Sequence, residues 1–359
     1  MHTPTGTQAA FSFTPPRDKP VRQPLVSIIV PCFNGARYLR ETLDSLLAQT
    51  YPNVEIIVLD DASTDATPEI AAAYADRITY VRQPSNRGQF ENANDGIRRA
   101  KGELIAVWHA DDVYLPTIVQ AQIAYFEQHP EVGAVFASDI FVDAEGREYG
   151  RIALPTEVRG ERPLDYATVL NTLLTYKNRF LVCPTAMVRR SVYDEVGGYR
   201  PSQYRNTSDL EMWLRISRRF PIAVLESHLM KYRHFHGTSS SQTYHRLRTA
   251  PENIFFIVDE YLAAGGRDLA TAAALRRFEA HRSEDRLMAA ISHYIKREMR
   301  EGREALGQVH LGVIARVTRI QSVRLVVLAL GLHVLLRLPR IELIGQWMLR
   351  RWHVKGPPA

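Results

Sequence analysis

The sequence predicts an α/β fold, a mostly parallel sheet with helices on both faces followed by a C-terminal helical extension, on three observations. Short apolar runs alternate with segments of helical period between residues 25 and 137, the signature of strands joined by covering helices. The runs lack polar alternation, as strands buried on both faces do. Beyond residue 249 the composition turns helical, Ala-rich and Arg-rich over residues 270–300, with no convincing strand. A chain of 359 residues exceeds one average domain and has room for both parts.

Residues 25–30 form a first apolar run stopped by Pro31, and after the Asn34-Gly35 turn Leu39, Leu43, Leu46 and Leu47 recur at helical spacing. The pattern repeats as a strand over 54–59, a helix over 67–75 opened by Thr67-Pro68, a strand over 78–81 and a helix over 89–100. A fourth strand, 104–108, empties into His109-Ala110-Asp111-Asp112, and a helix over 116–128 follows. Another strand is expected over 132–137, with Phe141-Val142 reading as a turn into less regular chain. Residues 147–180 read as loop and helix, 184–188 as a strand, 208–219 as a helix and 229–235 as a last strand.

The organisation that follows is a leader over 1–24, rich in Pro, Thr and Gln and read as disordered, a sheet domain over 25–245 and a helical region over 246–359. Net charge is +6, and from Arg316 onward eight Lys or Arg stand against one acid, Glu342, which suits an anionic surface. Cys32 and Cys183 have no zinc spacing and no disulfide framework, so a reducing cytosol is expected. No run of 18 apolar residues occurs. Residues 325–336, the most apolar segment, read as a buried helix or as an in-plane membrane helix beside Trp347 and Trp352.

Chemistry gathers where strands stop. The first strand ends in Pro31-Cys32-Phe33-Asn34, the second in Asp60-Asp61-Ala62-Ser63-Thr64-Asp65, and the fourth in the Asp111 pair. In open α/β sheets ligands sit at the carboxyl ends of the strands, so two adjacent carboxylates there are placed to meet a phosphorylated ligand through a divalent ion. No GxGxxG follows the first strand and no GxxxxGK[ST] occurs, so phosphate would be held by metal and not by a glycine cradle.

These elements, with Asn86-Arg87-Gly88, Asn94, Lys101-Gly102-Glu103, Gly197-Gly198-Tyr199 and the stretch from Ser208-Asp209 to Arg215, run in the order found in the inverting glycosyltransferases of family 2. The chain resembles that family over residues 25 to about 240, and the resemblance implies the GT-A fold. It implies that Pro31, Phe33, Asn34, Asp60, Asp61, Asn86, Asn94, His109, Ala110 and Asp111 bind the nucleotide, with Phe33 against the base. Asp111 matches the metal-binding acid of the family's DxD motif, and Mn²⁺ or Mg²⁺ would neutralise charge on the leaving diphosphate. His109 replaces the first acid of that motif. His236, beside His234 near the last strand, is a second candidate metal ligand, and Ser239 to Ser241 a candidate closing loop.

Asp209 matches the general base of inverting members, which takes the acceptor hydroxyl proton while the leaving group departs from the opposite face. Asp112, Ser208 and Trp213 are candidates for the sugar subsites. The activity implied is transfer of a sugar from a nucleotide-sugar, a UDP-sugar being the expected donor, to a hydroxyl of a glycan or lipid-linked acceptor in polysaccharide or cell-envelope biosynthesis. The protein is expected in the cytoplasm, peripheral on the inner membrane face, without a nucleic-acid partner. A non-enzymatic nucleotide-sugar-binding protein and a nucleotidyltransferase are the alternatives; the latter would want a glycine-rich, Arg-containing loop after the first strand, which is absent.

Overall fold

The computed structural model describes residues 23–233, 247–312, 319–335 and 347. His234, His236, the 239–241 loop, Trp352 and the leader up to residue 22 lie outside the described residues. Alternation holds through the first half: β1 (Val26–Cys32), α1 (Leu39–Leu47), β2 (Val54–Asp60), α2 (Thr67–Ala72), β3 (Thr79–Arg82), α3 (Gln89–Arg99) and β4 (Leu104–Val107). There follow β5 (Val113–Tyr114), α4 (Ile118–Gln128), β6 (Ala134–Val142), β7 (Glu148–Arg151), α5 (Tyr166–Tyr176), β8 (Met187–Arg189), α6 (Arg190–Val196), α7 (Pro201–Tyr204), α8 (Ser208–Ser217) and β9 (Ile222–Arg233). Helices Asn253–Ala263, Ala272–Lys296, Met299–Gly307 and Arg319–Leu335 complete the described chain.

The strands form one sheet in the order β3-β2-β1-β4-β8-β6-β9-β5, with β7 on β6. Its first four strands are parallel, as βαβ crossovers require. Beyond β4 the sheet is mixed: β8 runs antiparallel to both β4 and β6, whereas β6 and β9 are parallel.

β1 is buried along its whole length, and its side chains divide between two cores. Ile28 and Val30 join Leu39, Leu43, Trp108, Tyr114 and Ile118 beneath α1 and α4. Ile29 joins Leu59, Ala93 and Ile97 of α3 in a second core that runs through Phe180, Trp213 and Leu214 to Phe255, Val258 and Phe278. Helix Asn253–Ala263 packs on α8 and Ala272–Lys296 on α5, which joins them to this core, while Leu287, Ile291, Tyr294, Leu306, Ala329 and Leu332 form a third cluster.

Several boundaries differ from the sequence reading. Phe141-Val142 is the end of β6, which continues through Ser138 and Asp139 and returns as β7 after the turn at Gly146. Ser138 and Asp139 hide this continuity, since the pairing with β9 shifts register at those residues. Cys183–Thr185 is a single 3-10 turn and β8 begins at Met187, whereas β9 begins at Ile222, before the polar Glu226 and Ser227. β5 is too short to give a period.

Gly96 shows how closely α3 seats on the sheet: a Cβ there would collide with Ile29 Cγ2 and stand 3.1 Å from Leu59 Cδ2. Overpacking of this kind costs about 1–3 kcal/mol. Gly96→Ala is expected to lower the urea midpoint with an unchanged m value, checked by equilibrium unfolding.

Candidate active site

At the end of β1, Phe33 is 50% exposed and Asn34 takes a left-handed φ of 52°. The Asn34 amide donates to Ser63 Oγ at 2.8 Å, and its side-chain carbonyl accepts from the Thr64 amide at 2.8 Å, which stitches the β1 and β2 loops together. Asp60 is fully buried: Oδ1 accepts from the Ser63 amide at 2.9 Å and Oδ2 from the Tyr80 hydroxyl at 2.5 Å. Asp61 accepts from the backbone amides of Arg87 (2.9 Å) and Gly88 (2.8 Å), drawing the 86–88 loop onto the end of β2. Asn86 caps that loop by accepting from the Gly88 amide at 3.1 Å.

At the end of β4, buried Trp108 stacks on Tyr114 with centroids 4.2 Å apart, and the Tyr114 hydroxyl accepts from the His109 amide at 2.7 Å. The Thr42 hydroxyl meets the carbonyls of Ala110 (3.0 Å) and Asp112 (2.8 Å). These contacts fix the loop so that ligand atoms of His109, Asp111 and Asp112 lie within 4.8 Å of one another. Asp112 Oδ1 accepts from the Arg233 amide at 2.8 Å; Oδ2 is buried without a hydrogen-bond partner among the described residues and faces His109 Nδ1 at 3.6 Å.

Burial, and then the Asp111 charge, push the Asp112 carboxyl well above the usual range. Burial pushes the His109 imidazole down, against the pull of Asp111, and so favours its neutral, metal-ligating form. An orphaned buried carboxylate oxygen beside a second carboxylate and a neutral imidazole fits a divalent cation such as Mn²⁺ or Mg²⁺.

Sequence reasoning missed Arg233. Its guanidinium, buried at the end of β9, donates to the Asp111 carbonyl (2.8 Å), to Glu41 Oε2 (2.6 Å) and to the Asp143 and Ala144 carbonyls (3.4 and 3.3 Å). It lies 4.4 Å from the Tyr38 ring centroid. Only the structure reveals this, because Arg233 is 122 residues from Asp111.

Asp209 is the second residue of α8 and half-buried. Burial pushes its carboxyl up to about 6, opposed by the Leu210 amide, its own amide and the Cys183 thiol. Burial first, then the charge of Asp209 and more weakly that of Asp112, push the Cys183 thiol well above its usual range. Cys32, pushed up to about 12 chiefly by burial, also feels Asp60, Asp65 and Asp111. Charged groups from the ends of β1, β2 and β4 thus share one edge of the sheet.

Other candidates do not face that edge. Asn94 donates to the Tyr199 carbonyl (2.9 Å) and accepts from its amide (2.8 Å), so it clamps α3 to the chain beyond Gly198. Ser208 is fully buried and donates to the Arg205 carbonyl at 2.7 Å. Trp213 is fully buried with its ring edge-on to Phe136 at 5.0 Å, a core position and not a sugar-binding wall. Pro31 is buried within β1 opposite Leu59. A separate cleft of about 510 Å³ between α8 and helix Asn253–Ala263 is lined by Arg200, Arg215, Arg219 and Glu211, among others. Arg200 and Arg215 pair with Glu211, and Arg219 pairs with Glu195, which leaves a saturated structural network.

Residues 27–197 match the model of a family described as glycosyl transferase family 2. A glycosyltransferase of Rickettsia felis is 32% identical over 231 residues, which cover 63% of this chain and 37% of that protein. The putative glycosyltransferase EpsE of Bacillus subtilis is 34% identical over 197 residues, 54% of this chain and 66% of EpsE. The chain spans about a third of the length of the rickettsial relatives, 31–37%. Among solved structures, S. aureus TarS 1-349 in complex with UDP-GlcNAc aligns with a TM-score of 0.55 at 18% identity, covering 87% of this chain and 90% of that one. Mannosyltransferase PcManGT from Pyrobaculum calidifontis, in complex with GDP-Man and Mn²⁺, aligns with a TM-score of 0.50 at 19% identity, covering 93% of this chain and 88% of that one. At these identities the structural likeness shows the fold.

Another buried carboxyl with an oxygen lacking a partner among the described residues, missed in the sequence, is Asp139 on β6. It is 2% exposed, Oδ1 has no partner among the described residues, and burial pushes it up to about 6. Between the ordinary carboxylate range and pH 6 the folded state binds a proton that the unfolded chain has released, so stability falls as pH rises through that window. Asp139→Asn is therefore expected to match the wild type near pH 4 and to exceed it by about 2 kcal/mol above pH 7, read by thermal unfolding across pH.

Proposed function

The chain carries a family 2 glycosyltransferase domain over residues 27–197, and from that premise we propose that it transfers a sugar, with inversion, from a nucleoside diphosphate sugar to a hydroxyl of a glycan or lipid-linked acceptor. The observation that carries this reading is the His109, Asp111 and Asp112 cluster at the carboxyl end of β4, with an Asp112 oxygen that has no partner among the described residues. The expected donor is a UDP-sugar. TarS with UDP-GlcNAc and PcManGT with GDP-Man and Mn²⁺ support a nucleotide-sugar and a divalent ion on this fold.

Phe33, exposed at the end of β1, is the proposed platform for the base. Asp61 holds the 86–88 loop at the base-binding edge, and Asp60 supports its own turn from the interior. Asp111, with Asp112 and His109 beside it, is the proposed anchor of the cation, and His236 remains a candidate outside the described residues. When bound, such an ion neutralises the charge that develops on the departing diphosphate.

Asp209 is the proposed general base. As the acceptor oxygen bonds to the anomeric carbon and the bond to the diphosphate breaks on the opposite face, the hydroxyl proton passes to the Asp209 carboxylate. Its carboxyl, raised to about 6, is largely ionised at neutral pH yet basic enough to take that proton. No helix among the described residues is long and apolar enough to cross a membrane. Val327, Leu330 and Val334 expose an apolar stripe on Arg319–Leu335, and with the basic residues from Arg316 onward this supports peripheral contact with an anionic membrane face.

One of UDP, GDP, dTDP and CDP is expected to raise the melting temperature only with Mn²⁺, since ligands of the native state stabilise it by mass action. Asp111→Asn should abolish that shift. Asp209→Asn should keep it while slowing transfer by about 10²-fold or more, measured with the nucleotide-sugar of the stabilising base. Metal-independent stabilisation, or full turnover in Asp209→Asn, would overturn the assignment.

A further inference from the structure

The loop from His109 to Asp112 is held through its backbone. The Tyr114 hydroxyl accepts from the His109 amide at 2.7 Å, and the Thr42 hydroxyl donates to the carbonyls of Ala110 (3.0 Å) and Asp112 (2.8 Å). The carbonyl between those two, that of Asp111, accepts from Arg233 Nε at 2.8 Å. Three successive carbonyls thus end on side chains, and the middle one depends on a residue from the far end of β9.

Arg233 is itself fixed on every side. Its backbone lies opposite Val142 of β6, and Lys231, two residues earlier, pairs with both Ile140 of β6 and Val113 of β5. Its side chain is 2% exposed. Nη2 donates to Glu41 Oε2 at 2.6 Å, Nη1 to the Asp143 and Ala144 carbonyls at 3.4 and 3.3 Å, and the guanidinium lies 4.4 Å from the Tyr38 ring centroid. One planar fork therefore joins β9, the turn between β6 and β7, α1 and the acidic loop. Glu41 stands beside Thr42, so α1 holds that loop twice, directly through Thr42 and indirectly through Arg233. Buried among these partners, the guanidinium acts on a ligand only through the loop it holds.

We propose that Arg233 is a positioning residue for Asp111: by fixing the peptide between Asp111 and Asp112, it sets the direction in which the Asp111 carboxylate leaves the loop. This rests on the reading of Asp111 as the anchor of the cation. The peptide whose carbonyl Arg233 holds carries the Asp111 ψ and the Asp112 φ, so both carboxylates are aimed by one unit. The Arg233 amide takes Asp112 Oδ1 at 2.8 Å as well. A small divalent ion is exacting about the geometry of its oxygen ligands, so a carboxylate free to swing binds it less well. Groups that orient metal ligands matter for that reason although they never touch the ion. A lysine offers one nitrogen on a flexible stem and cannot serve the Asp111 carbonyl, Glu41 and the turn together. The loop requires the fork more than the charge.

The test compares wild type, Arg233→Met, Arg233→Lys, Glu41→Ala and Asp111→Asn in the full chain, with folding checked by circular dichroism. Nucleotide affinity is measured by calorimetry with and without Mn²⁺, using whichever of UDP, GDP, dTDP and CDP binds the wild type. In Arg233→Met the gain in affinity that Mn²⁺ confers is expected to fall about tenfold, with the metal-free affinity within about twofold of wild type. Arg233→Lys and Glu41→Ala are each expected to lose about threefold of that gain. A folded Arg233→Met with the full Mn²⁺ gain overturns the inference, as does a Lys variant equal to wild type, which would leave only the charge to matter. Equal losses with and without Mn²⁺ also overturn it, since they would reduce Arg233 to general support of the fold. Should Arg233→Met not fold, an undiminished gain in Glu41→Ala overturns it. A full Mn²⁺ gain in Asp111→Asn, or none in the wild type with any of the four nucleotides, overturns the reading of Asp111 and the inference with it.

Discussion

The two parallel ladders of β1 are the constraint on which the site depends. Buried on both faces, β1 pairs with β2 from Val26 opposite Val54 to Cys32 opposite Asp60, and with β4 from Val26 opposite Leu104 to Ile29 opposite Val107. Parallel pairing makes the three strands end at the same edge, and two further bonds continue the ladders into the loops. The Asp61 amide donates to the Cys32 carbonyl at 2.8 Å, and the Trp108 amide to the Ile29 carbonyl at 2.9 Å. Phe33, Asp61 and His109 are each the first or second residue past a strand held this way. Their convergence follows from register.

Electrostatics at that edge work against the stability of the fold. Asp112 and Asp139 each bury a carboxylate oxygen without a partner among the described residues, and both are pushed upward by burial. Burying a charge without a counter-charge costs free energy, and a cation beside Asp111 and Asp112 would lower that cost. Arg233 offsets part of that cost: its amide binds Asp112 and its positive charge favours the ionised carboxylate, while its guanidinium holds the Asp111 carbonyl and Glu41. The motif loop is thereby fixed before any ligand arrives, a form of preorganisation.

Much of this was legible in the sequence, and the limits have physical causes. Strands β1 to β4 and helices α1 and α3 declare themselves because both faces of the parallel strands are apolar and Leu39, Leu43 and Leu46 keep helical spacing. The loops past them stand out because carboxylates after an apolar run are conspicuous. What stayed hidden depends on contacts between distant residues. Asp60, Asn94, Ser208 and Trp213 have the right chemical types, but the first three use their polar groups on loops and backbone, and Trp213 lies in the core. Arg233 and Asp139 gain their places from tertiary pairing alone, and nothing in their neighbours in sequence marks them.

The central claim is that the β4 edge holds a nucleoside diphosphate through a divalent ion at Asp111. Electron paramagnetic resonance of added Mn²⁺ tests it most directly, with each of UDP, GDP, dTDP and CDP present in turn and the free-ion signal counted against protein. The account predicts that one nucleotide removes one equivalent of the signal in the wild type and that Asp111→Asn removes none beyond what the nucleotide itself binds. Equal loss in the two proteins, or no loss in the wild type with any nucleotide, would contradict it.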